Sequence, residues 1–279
     1  MNLSMRQFAH PVLLCLALSC AAAPAAAENV QFVPPEVRDI QIIEHLGGQL
    51  PLDAAFTDDN GKPVRLADYF NHDRPVMLSV VYYECPMLCG LATQALLNTL
   101  NQLPGRPGED FEVVTVSFDP TETADLAFGK KKSVIAEYQK PDAADGWHFL
   151  VGTDQNVKAL TDAVGFRSRW DEKSQQFAHA AALMIITPDG RLSRYLHGVY
   201  YEPKETQDAL RAAAAGLIAE PTDPAVARSL FMTCFKAIVG EQANMVTQIL
   251  RGIGALSLII LALVLVPLWI RSARAGRQS

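Results

Sequence analysis

The sequence has no surplus of positive charge. Its 24 lysines and arginines stand against 30 aspartates and glutamates, which gives a formal net charge of −6 at pH 7. It contains no basic stripe of the kind that neutralises a phosphate backbone, and no internal repeat. We therefore exclude nucleic acid as a partner.

Cysteine is also scarce, with five residues in the whole chain. Cys15 and Cys20 lie in an apolar N-terminal segment, which leaves Cys85, Cys89 and Cys234 for the rest of the protein. An odd number of cysteines with one close pair is not the framework of a disulfide-stabilised small domain. The close pair is instead a candidate for chemistry.

Residues 1–27 have the pattern of a signal peptide. Arg6 precedes an apolar run at 12–22, and Ala25-Ala26-Ala27 suits a signal peptidase, so the mature chain is expected to begin at Glu28. The apolar run is too short to span a bilayer comfortably, which disfavours an uncleaved anchor. Lipidation at Cys20 is an alternative, but the residues before it match poorly and a second anchor would be redundant.

A second apolar segment lies near the other end of the chain. Residues 252–270 carry no charge, and at roughly 1.5 Å per residue they span about 28 Å, close to the hydrocarbon thickness of a bilayer. This predicts a transmembrane helix at 251–271, and the arginines around and after its end favour a cytoplasmic tail at 272–279. We therefore expect a single-pass protein of the inner (cytoplasmic) membrane, with its main domain on the periplasmic, extracytoplasmic side.

The exported part is predicted to be one α/β domain. An extended lead-in at 28–51 precedes the domain at 52–219, and a juxtamembrane segment follows at 220–250. The predicted elements are, in chain order, a hairpin of strands 52–56 and 64–66, a buried strand 76–83, a helix 91–103, a strand 112–117, a helix 123–139, a short strand 149–151, a helix 154–164, a hairpin of strands 180–186 and 192–196, and a helix 204–218. This order is typical of a thioredoxin-like fold, a central mixed sheet flanked by helices, here followed by one C-terminal transmembrane helix.

The close cysteine pair falls between a predicted strand and a predicted helix. Cys85 and Cys89 are separated by Pro86-Met87-Leu88, at the carboxyl edge of the sheet. The free N–H groups and the dipole of a helix N-terminus stabilise a thiolate, which is the form that binds metals and attacks disulfides. The position therefore favours either redox exchange or metal binding over an inert buried pair.

The surroundings of the pair bear on these two activities. A dithiol oxidoreductase of this fold usually has two residues between its cysteines and a cis-proline facing them, whereas here three residues intervene and His179 stands in the expected facing segment. A peroxidase would need Ser or Thr where Tyr82 stands. If strand 180–186 lies beside strand 76–83, His179 comes near the sulfurs. Two thiolates with one imidazole form a site that suits Cu(I) and can also hold Cu(II). The same three ligands suit zinc less well.

Three motifs resemble those of the Sco/SenC family. They are the segment 81–89, Val-Tyr-Tyr-Glu-Cys-Pro-Met-Leu-Cys, the segment 116–120, Val-Ser-Phe-Asp-Pro, and His179 ahead of the segment 186–190, Ile-Thr-Pro-Asp-Gly. The likeness runs from about Leu52 to Ile218. Members of this family are thioredoxin-fold copper chaperones for the binuclear copper centre of cytochrome c oxidase, and some act as thiol reductants for that centre.

The resemblance implies a ligand set and partners. Cys85, Cys89 and His179 would bind copper as Cu(I) or Cu(II), and Asp119 would lie near the site without binding the metal. The implied partners are the copper-bearing subunit of cytochrome c oxidase, other copper chaperones or thioredoxin-like reductants, and the membrane. We expect a metallochaperone rather than an enzyme. Its reduced cysteines would bind the copper ion, whereas a Cys85–Cys89 disulfide could not bind it.

The chain departs from the family pattern in three places. Ala178 stands where the family often has an acidic residue before its histidine, Met87-Leu88 replaces a more polar insert, and the anchor follows the domain instead of preceding it. Without that acidic residue, His179 is expected to be less constrained. The chief alternative function is a membrane-anchored thiol-disulfide oxidoreductase in which Cys85 attacks and Cys89 resolves. A weaker alternative is a copper sensor or a structural interaction domain.

Three further features remain outside this assignment. His197 is the competing ligand, but it lies beyond the second strand of the later hairpin and is expected to be too far from the cysteines. His45, His72 and His148 have no partners at ligand spacing. Met232 and Cys234 are expected to belong to an amphipathic stretch before the anchor, with an auxiliary soft metal site as the alternative.

Overall fold

A seven-stranded mixed sheet forms the centre of the domain. In the computed structural model, the residues described are 40, 42–70, 73–85, 88–172, 175–223, 253 and 257, with the backbone alone at 88 and 89. The strands are β1 (Ala55–Asp58), β2 (Pro63–Arg65), β3 (Val76–Val81), β4 (Glu112–Ser117), β5 (Trp147–Gly152), β8 (Ala182–Ile186) and β9 (Leu192–His197), and they lie side by side in the order β2-β1-β5-β4-β3-β8-β9. A separate two-stranded sheet consists of β6 (Ser168–Asp171) and β7 (Gln176–His179).

Four α-helices accompany the sheet. They are α1 (Leu88–Gln102), α2 (Ala124–Glu137), α3 (Asp154–Ala163) and α4 (Pro203–Ala214), with short 3-10 turns at Leu66–Tyr69 and Pro141–Gly146. Helix α1 contacts both α2 and α4. The Thr123 hydroxyl caps α2 by accepting from Leu126 N–H. The expected thioredoxin-like α/β architecture, a central mixed sheet flanked by helices, is therefore confirmed.

The central strands are buried on both faces. Every residue of β3, β4 and β8 is buried. β3 and β8 are accordingly nearly continuous apolar runs without alternation, whereas β4 also buries Glu112, Thr115 and Ser117. β3 and β4 run parallel, as a strand–helix–strand crossover requires. β8 pairs with β3 antiparallel, with Ser79 opposite Leu183 and Val76 opposite Ile186. The first residues of β8 therefore lie at the same edge of the sheet as the last residues of β3.

The segment before the domain is attached to the sheet. Leu50 N–H donates to the Gly190 carbonyl and Gly47 N–H donates to that of Leu192, both at the turn into β9. Ile43 N–H donates to the Gly165 carbonyl, and a Cβ at Gly165 would lie 1.8 Å from the Ile43 oxygen. Gly165 lies just after helix α3, and its φ of +64° suits a glycine that ends a helix. It also leaves space for the preceding chain to pass.

Some predicted boundaries differ from the structure. The last helix, expected at 204–218, ends at Ala214, and Ala219 N–H donates to the Ser193 carbonyl beside β9. The hairpin β6–β7 was not predicted at all. Among the described residues no helix combines the length and apolarity needed to cross a bilayer. The predicted signal peptide and the segment 251–271 lie outside the described residues, apart from Ile253 and Ser257, as do His72, Met232 and Cys234.

Candidate functional site

The cysteine segment joins the end of β3 to the start of α1. A turn follows the strand, in which Cys85 N–H contacts the Tyr82 carbonyl at 3.4 Å, and helix α1 begins at Leu88. Cys85 is half-buried and packs against the core. Cys89 belongs to the first turn of α1, and its side chain lies outside the described part of the protein. The backbone therefore sets both cysteines at the N-terminal end of a helix, where a thiolate is stabilised.

A buried carboxylate holds the turn before Cys85. Glu122, in the loop between β4 and α2, accepts hydrogen bonds from Tyr83 N–H and Glu84 N–H, both at 2.8 Å. It also accepts one from the Ser117 hydroxyl at 2.5 Å. Burial raises the pKa of Glu122 above its ordinary value, and these three hydrogen bonds offset part of that rise. Sequence reasoning missed this residue, because a glutamate just before a helix reads as a solvated first-turn residue.

His179 is the last residue of β7 and is almost fully buried. It pairs with Ser168 across the small sheet, and its side chain packs where the ends of β3 and β4 meet. Its Nδ1 lies 2.9 Å from the Ala180 carbonyl oxygen. Because a carbonyl only accepts, Nδ1 carries the proton that is donated, and in the neutral form of the ring Nε2 carries the lone pair. That is the tautomer which a metal-binding imidazole needs.

Aromatic rings surround the imidazole. The ring centroid of His179 lies 5.2 Å from that of Phe118, 5.8 Å from that of Phe166 and 6.0 Å from that of Tyr82. Phe177 closes the group through edge contacts with Phe118 and Tyr82. We call these four rings the aromatic box. Inside this box only 6% of the His179 surface is exposed. The box holds the imidazole beside Tyr82, which lies three residues before Cys85.

Asp119 directly follows Phe118 and therefore lies at the same edge of the sheet. Its Oδ1 accepts from the N–H of Thr121 at 2.9 Å and from the Thr121 hydroxyl at 2.6 Å. Its own N–H contacts the Ser117 hydroxyl at 3.1 Å. These contacts make Asp119 a turn residue that shapes the loop carrying Glu122. A role beside a bound metal stays a prediction.

Three other histidines are engaged elsewhere. The Nε2 of His197 lies 2.6 Å from a carboxylate oxygen of Glu44, whose second oxygen accepts from Thr222 N–H. The Nε2 of His148 lies 3.1 Å from Glu112, at the opposite end of the sheet from Cys85. His45 Nδ1 contacts the Ala163 carbonyl at 2.9 Å. His197, the competing ligand in the sequence, is thus half of a buried pair with a carboxylate.

The described residues include two of the three predicted copper-binding side chains. Among the side chains that are described, no group of three or more cysteine, histidine, aspartate or glutamate residues is placed to hold a metal ion. The Cys89 thiol, one of the three predicted ligands, is not among them. A half-buried thiol before a helix and an oriented imidazole beside Tyr82 are donors of the soft and intermediate kinds that suit copper. The assignment of Cys85, Cys89 and His179 as ligands stays a prediction.

Comparison with known proteins gives a consistent pattern. The sequence model of the SCO1/SenC family matches residues 52–215, more than half of the chain. No curated protein matches the sequence. Two solved structures from Aquifex aeolicus VF5, described as a candidate electron transfer protein and a candidate electron transport protein, are 29% and 28% identical, with TM-scores of 0.54 and 0.51. The alignments cover 62% and 61% of this chain and 95% and 99% of theirs.

A third structure carries a metal. It is the structure of Arabidopsis thaliana ScoI with copper bound, which is 15% identical to this chain and has a TM-score of 0.48. The alignment covers 61% of this chain and 98% of that one.

Proposed function

The chain belongs to the SCO1/SenC family, and on that premise we propose that it is a copper chaperone for the assembly of cytochrome c oxidase. It would deliver copper to the binuclear copper centre, or reduce the cysteines of that centre. Copper is the cargo and not a resident cofactor. The protein is accordingly proposed to act as a metallochaperone, with no substrate turned over.

One observation carries the proposal. The Nδ1 of His179 is oriented by the Ala180 carbonyl, inside the aromatic box and next to the strand that leads to Cys85. A metal ligand needs such an orientation, because Nε2 must offer its lone pair in a fixed direction. His45 has a similar contact with a carbonyl but lies away from the cysteines, so the position of His179 carries the argument together with its orientation. The geometry thus supports His179 as the third ligand beside the two cysteine thiolates.

The proposed transfer is a ligand exchange. The reduced Cys85 and Cys89 thiols lose their protons as copper binds, and the aromatic box keeps water away from the His179 ring. The acceptor subunit then replaces these ligands one at a time with its own. Oxidation of the pair to a disulfide removes two electrons and two protons and abolishes binding, so the redox state of the sulfurs controls loading.

The alternative is a thiol-disulfide oxidoreductase. The half-buried Cys85 at the start of α1 favours it, since a helix N-terminus stabilises the attacking thiolate. Cys85 would attack a partner disulfide, Cys89 would resolve the mixed disulfide, and the pair would end oxidised as the partner is reduced. Reduction of the copper-bearing subunit would be the same reaction with a specific partner.

Copper titration of the purified full-length protein tests the proposal. We expect the reduced protein to bind one copper ion, and the oxidised protein and His179→Ala to lose that binding. His45→Ala is the matched control, because its imidazole has the same kind of contact with a backbone carbonyl but lies away from the cysteines. Retained disulfide exchange in His179→Ala would agree with the chaperone. Unchanged copper binding in His179→Ala would refute the ligand assignment.

We also propose the location of the protein. Residues 1–27 would be removed as a signal peptide, residues 251–271 would anchor the chain in the inner membrane, and the domain would face the periplasm. The small residues before Glu28 and the uncharged segment before Arg271 support this topology. N-terminal sequencing should begin at Glu28, and external protease should digest the domain in cells without an outer membrane. A protected domain would contradict the topology.

A further inference from the structure

One carboxylate joins three segments at the edge of the sheet. The side chain of Glu122 accepts from Tyr83 N–H and Glu84 N–H in the cysteine turn, and from the Ser117 hydroxyl at the end of β4. Its own backbone N–H contacts the Asp119 carbonyl at 3.2 Å. Glu122 is buried, with 7% of its surface exposed. It therefore ties the cysteine turn to the loop after β4, although the two are distant in sequence.

The chemistry of this contact suits a glutamate specifically. All three partners are donors, and a carboxylate offers only acceptors. Glutamine would turn an NH₂ group toward one of the three donors, and aspartate is shorter by one methylene. The two backbone N–H groups need an acceptor, because an unpaired N–H away from water costs about 1–3 kcal/mol. Glu122 thus supplies the hydrogen-bond acceptors for these two backbone N–H groups.

The turn is also held through the side chain of Tyr83. The Tyr83 hydroxyl lies 2.8 Å from the Leu150 carbonyl oxygen and 3.1 Å from that of Thr115, on β5 and β4. Together with the Glu122 contacts, this fixes both the backbone and the side chain of the residue two positions before Cys85. The direction in which the chain enters Cys85 is therefore determined by these contacts.

We propose that Glu122 is a positioning residue for copper, which holds the Tyr83–Glu84 turn so that the Cys85 sulfur meets the metal in the geometry set by His179. This inference rests on the proposed function, since it concerns the same site. His179 is fixed by the aromatic box, and Cys85 follows a turn fixed by Glu122. A site assembled from two rigid supports loses affinity when either support loosens.

The test measures copper affinity and the spectrum of the bound metal in the full-length protein. We expect Glu122→Gln to bind copper about 10–100-fold more weakly. The thiolate-to-Cu(II) charge-transfer band at saturation should also shift or broaden, which a loss of stability alone would not cause. Ser117→Ala removes one donor to Glu122 without changing any charge, and should shift both readouts in the same direction by less.

Glu137→Gln is the matched control, since it removes the same charge from an exposed position at the end of α2. It should leave affinity and spectrum unchanged. Wild-type affinity and spectrum in Glu122→Gln would overturn the inference, as would an equal loss in Glu137→Gln. If Glu122→Gln fails to fold, Ser117→Ala decides, and an unchanged Ser117→Ala would overturn it. A wild-type protein that binds no copper would instead refute the proposed function itself.

Discussion

The Nδ1 of His179 points at the carbonyl oxygen of Ala180, 2.9 Å away. A carboxylate at position 178 was expected to orient such a ring in relatives, and Ala178 cannot do so. The backbone carbonyl takes that role, because a carbonyl accepts the Nδ1 proton as a carboxylate would. His179 is therefore constrained without that acidic residue. Its constraint comes from its own backbone and from the aromatic box.

The aromatic box is expected to contribute to stability. Phe118→Leu keeps an apolar side chain but loses ring contacts with Tyr82, Phe166 and Phe177. We expect the free energy of unfolding to fall by about 1–2 kcal/mol, as measured by urea denaturation. Phe128→Leu is the control, since Phe128 is 52% exposed and should change stability by less than about 0.5 kcal/mol. Equal effects of the two substitutions would show that the box adds nothing.

His197 should be dispensable for copper but not for stability. His197→Ala leaves the largely buried carboxylate of Glu44 without the imidazole 2.6 Å away. We expect a loss of about 1–3 kcal/mol in unfolding free energy, with copper affinity unchanged. Thermal denaturation and copper titration on the same preparation separate the two effects. A loss of copper binding would make His197 a ligand in place of His179.

A buried charge cluster lies at the far end of the sheet from Cys85. Glu112, which opens β4, contacts Arg74 at 3.0 Å and His148 at 3.1 Å. Glu112→Ala leaves a poorly exposed guanidinium without its partner, and we expect it to cost about 3–5 kcal/mol. The double variant Arg74→Leu/Glu112→Leu should recover part of that loss in chemical denaturation. No recovery would mean that the packing of Glu112 matters more than its charge.

The stability of the protein should depend on pH through Glu122. Burial raises the pKa of Glu122 in the folded protein above its value in the unfolded chain, so the folded state binds the proton more tightly. The contribution of Glu122 to stability is then fully present below about pH 4.5, the ordinary pKa of a glutamate. This contribution is lost as the pH rises through the higher pKa of the folded state. The stability advantage of wild type over Glu122→Gln should therefore shrink with rising pH across that window.

Urea denaturation at a series of pH values measures this difference. Phe118→Leu, which changes no titrating group, should give a curve parallel to that of wild type. A wild-type advantage that grows with pH would show that the hydrogen bonds to Glu122 outweigh its burial.

Much of the fold could be predicted because its central strands are strongly patterned. The buried run that becomes β3 is a local signal, and it matches the structure. The hairpin β6–β7 was missed because Ser168–Asp171 is largely exposed and polar, without the alternation that marks a half-buried strand. It forms through pairing with Gln176–His179, which is a property of two segments together.

Only part of the candidate site could be predicted from the sequence. His179 could be linked to the cysteines because strand 180–186 was expected beside strand 76–83, and β8 does pair with β3. Glu122 could not be identified, since nothing local shows that its carboxylate turns back toward Tyr83 and Glu84. The one available signal was its position in the loop after β4, at the same edge of the sheet as Cys85.

The antiparallel pairing of β8 with β3 also determines when the proposed copper site can exist. Cys85 follows the third strand to be synthesised, whereas His179 precedes the eighth, so the thiols are made long before the strand that places the imidazole. A chain interrupted before β8 has its cysteines but no histidine held beside them. Under the proposed function, copper capture would then select for molecules whose sheet is finished, and the thiols of a nascent chain would have to stay reduced until then.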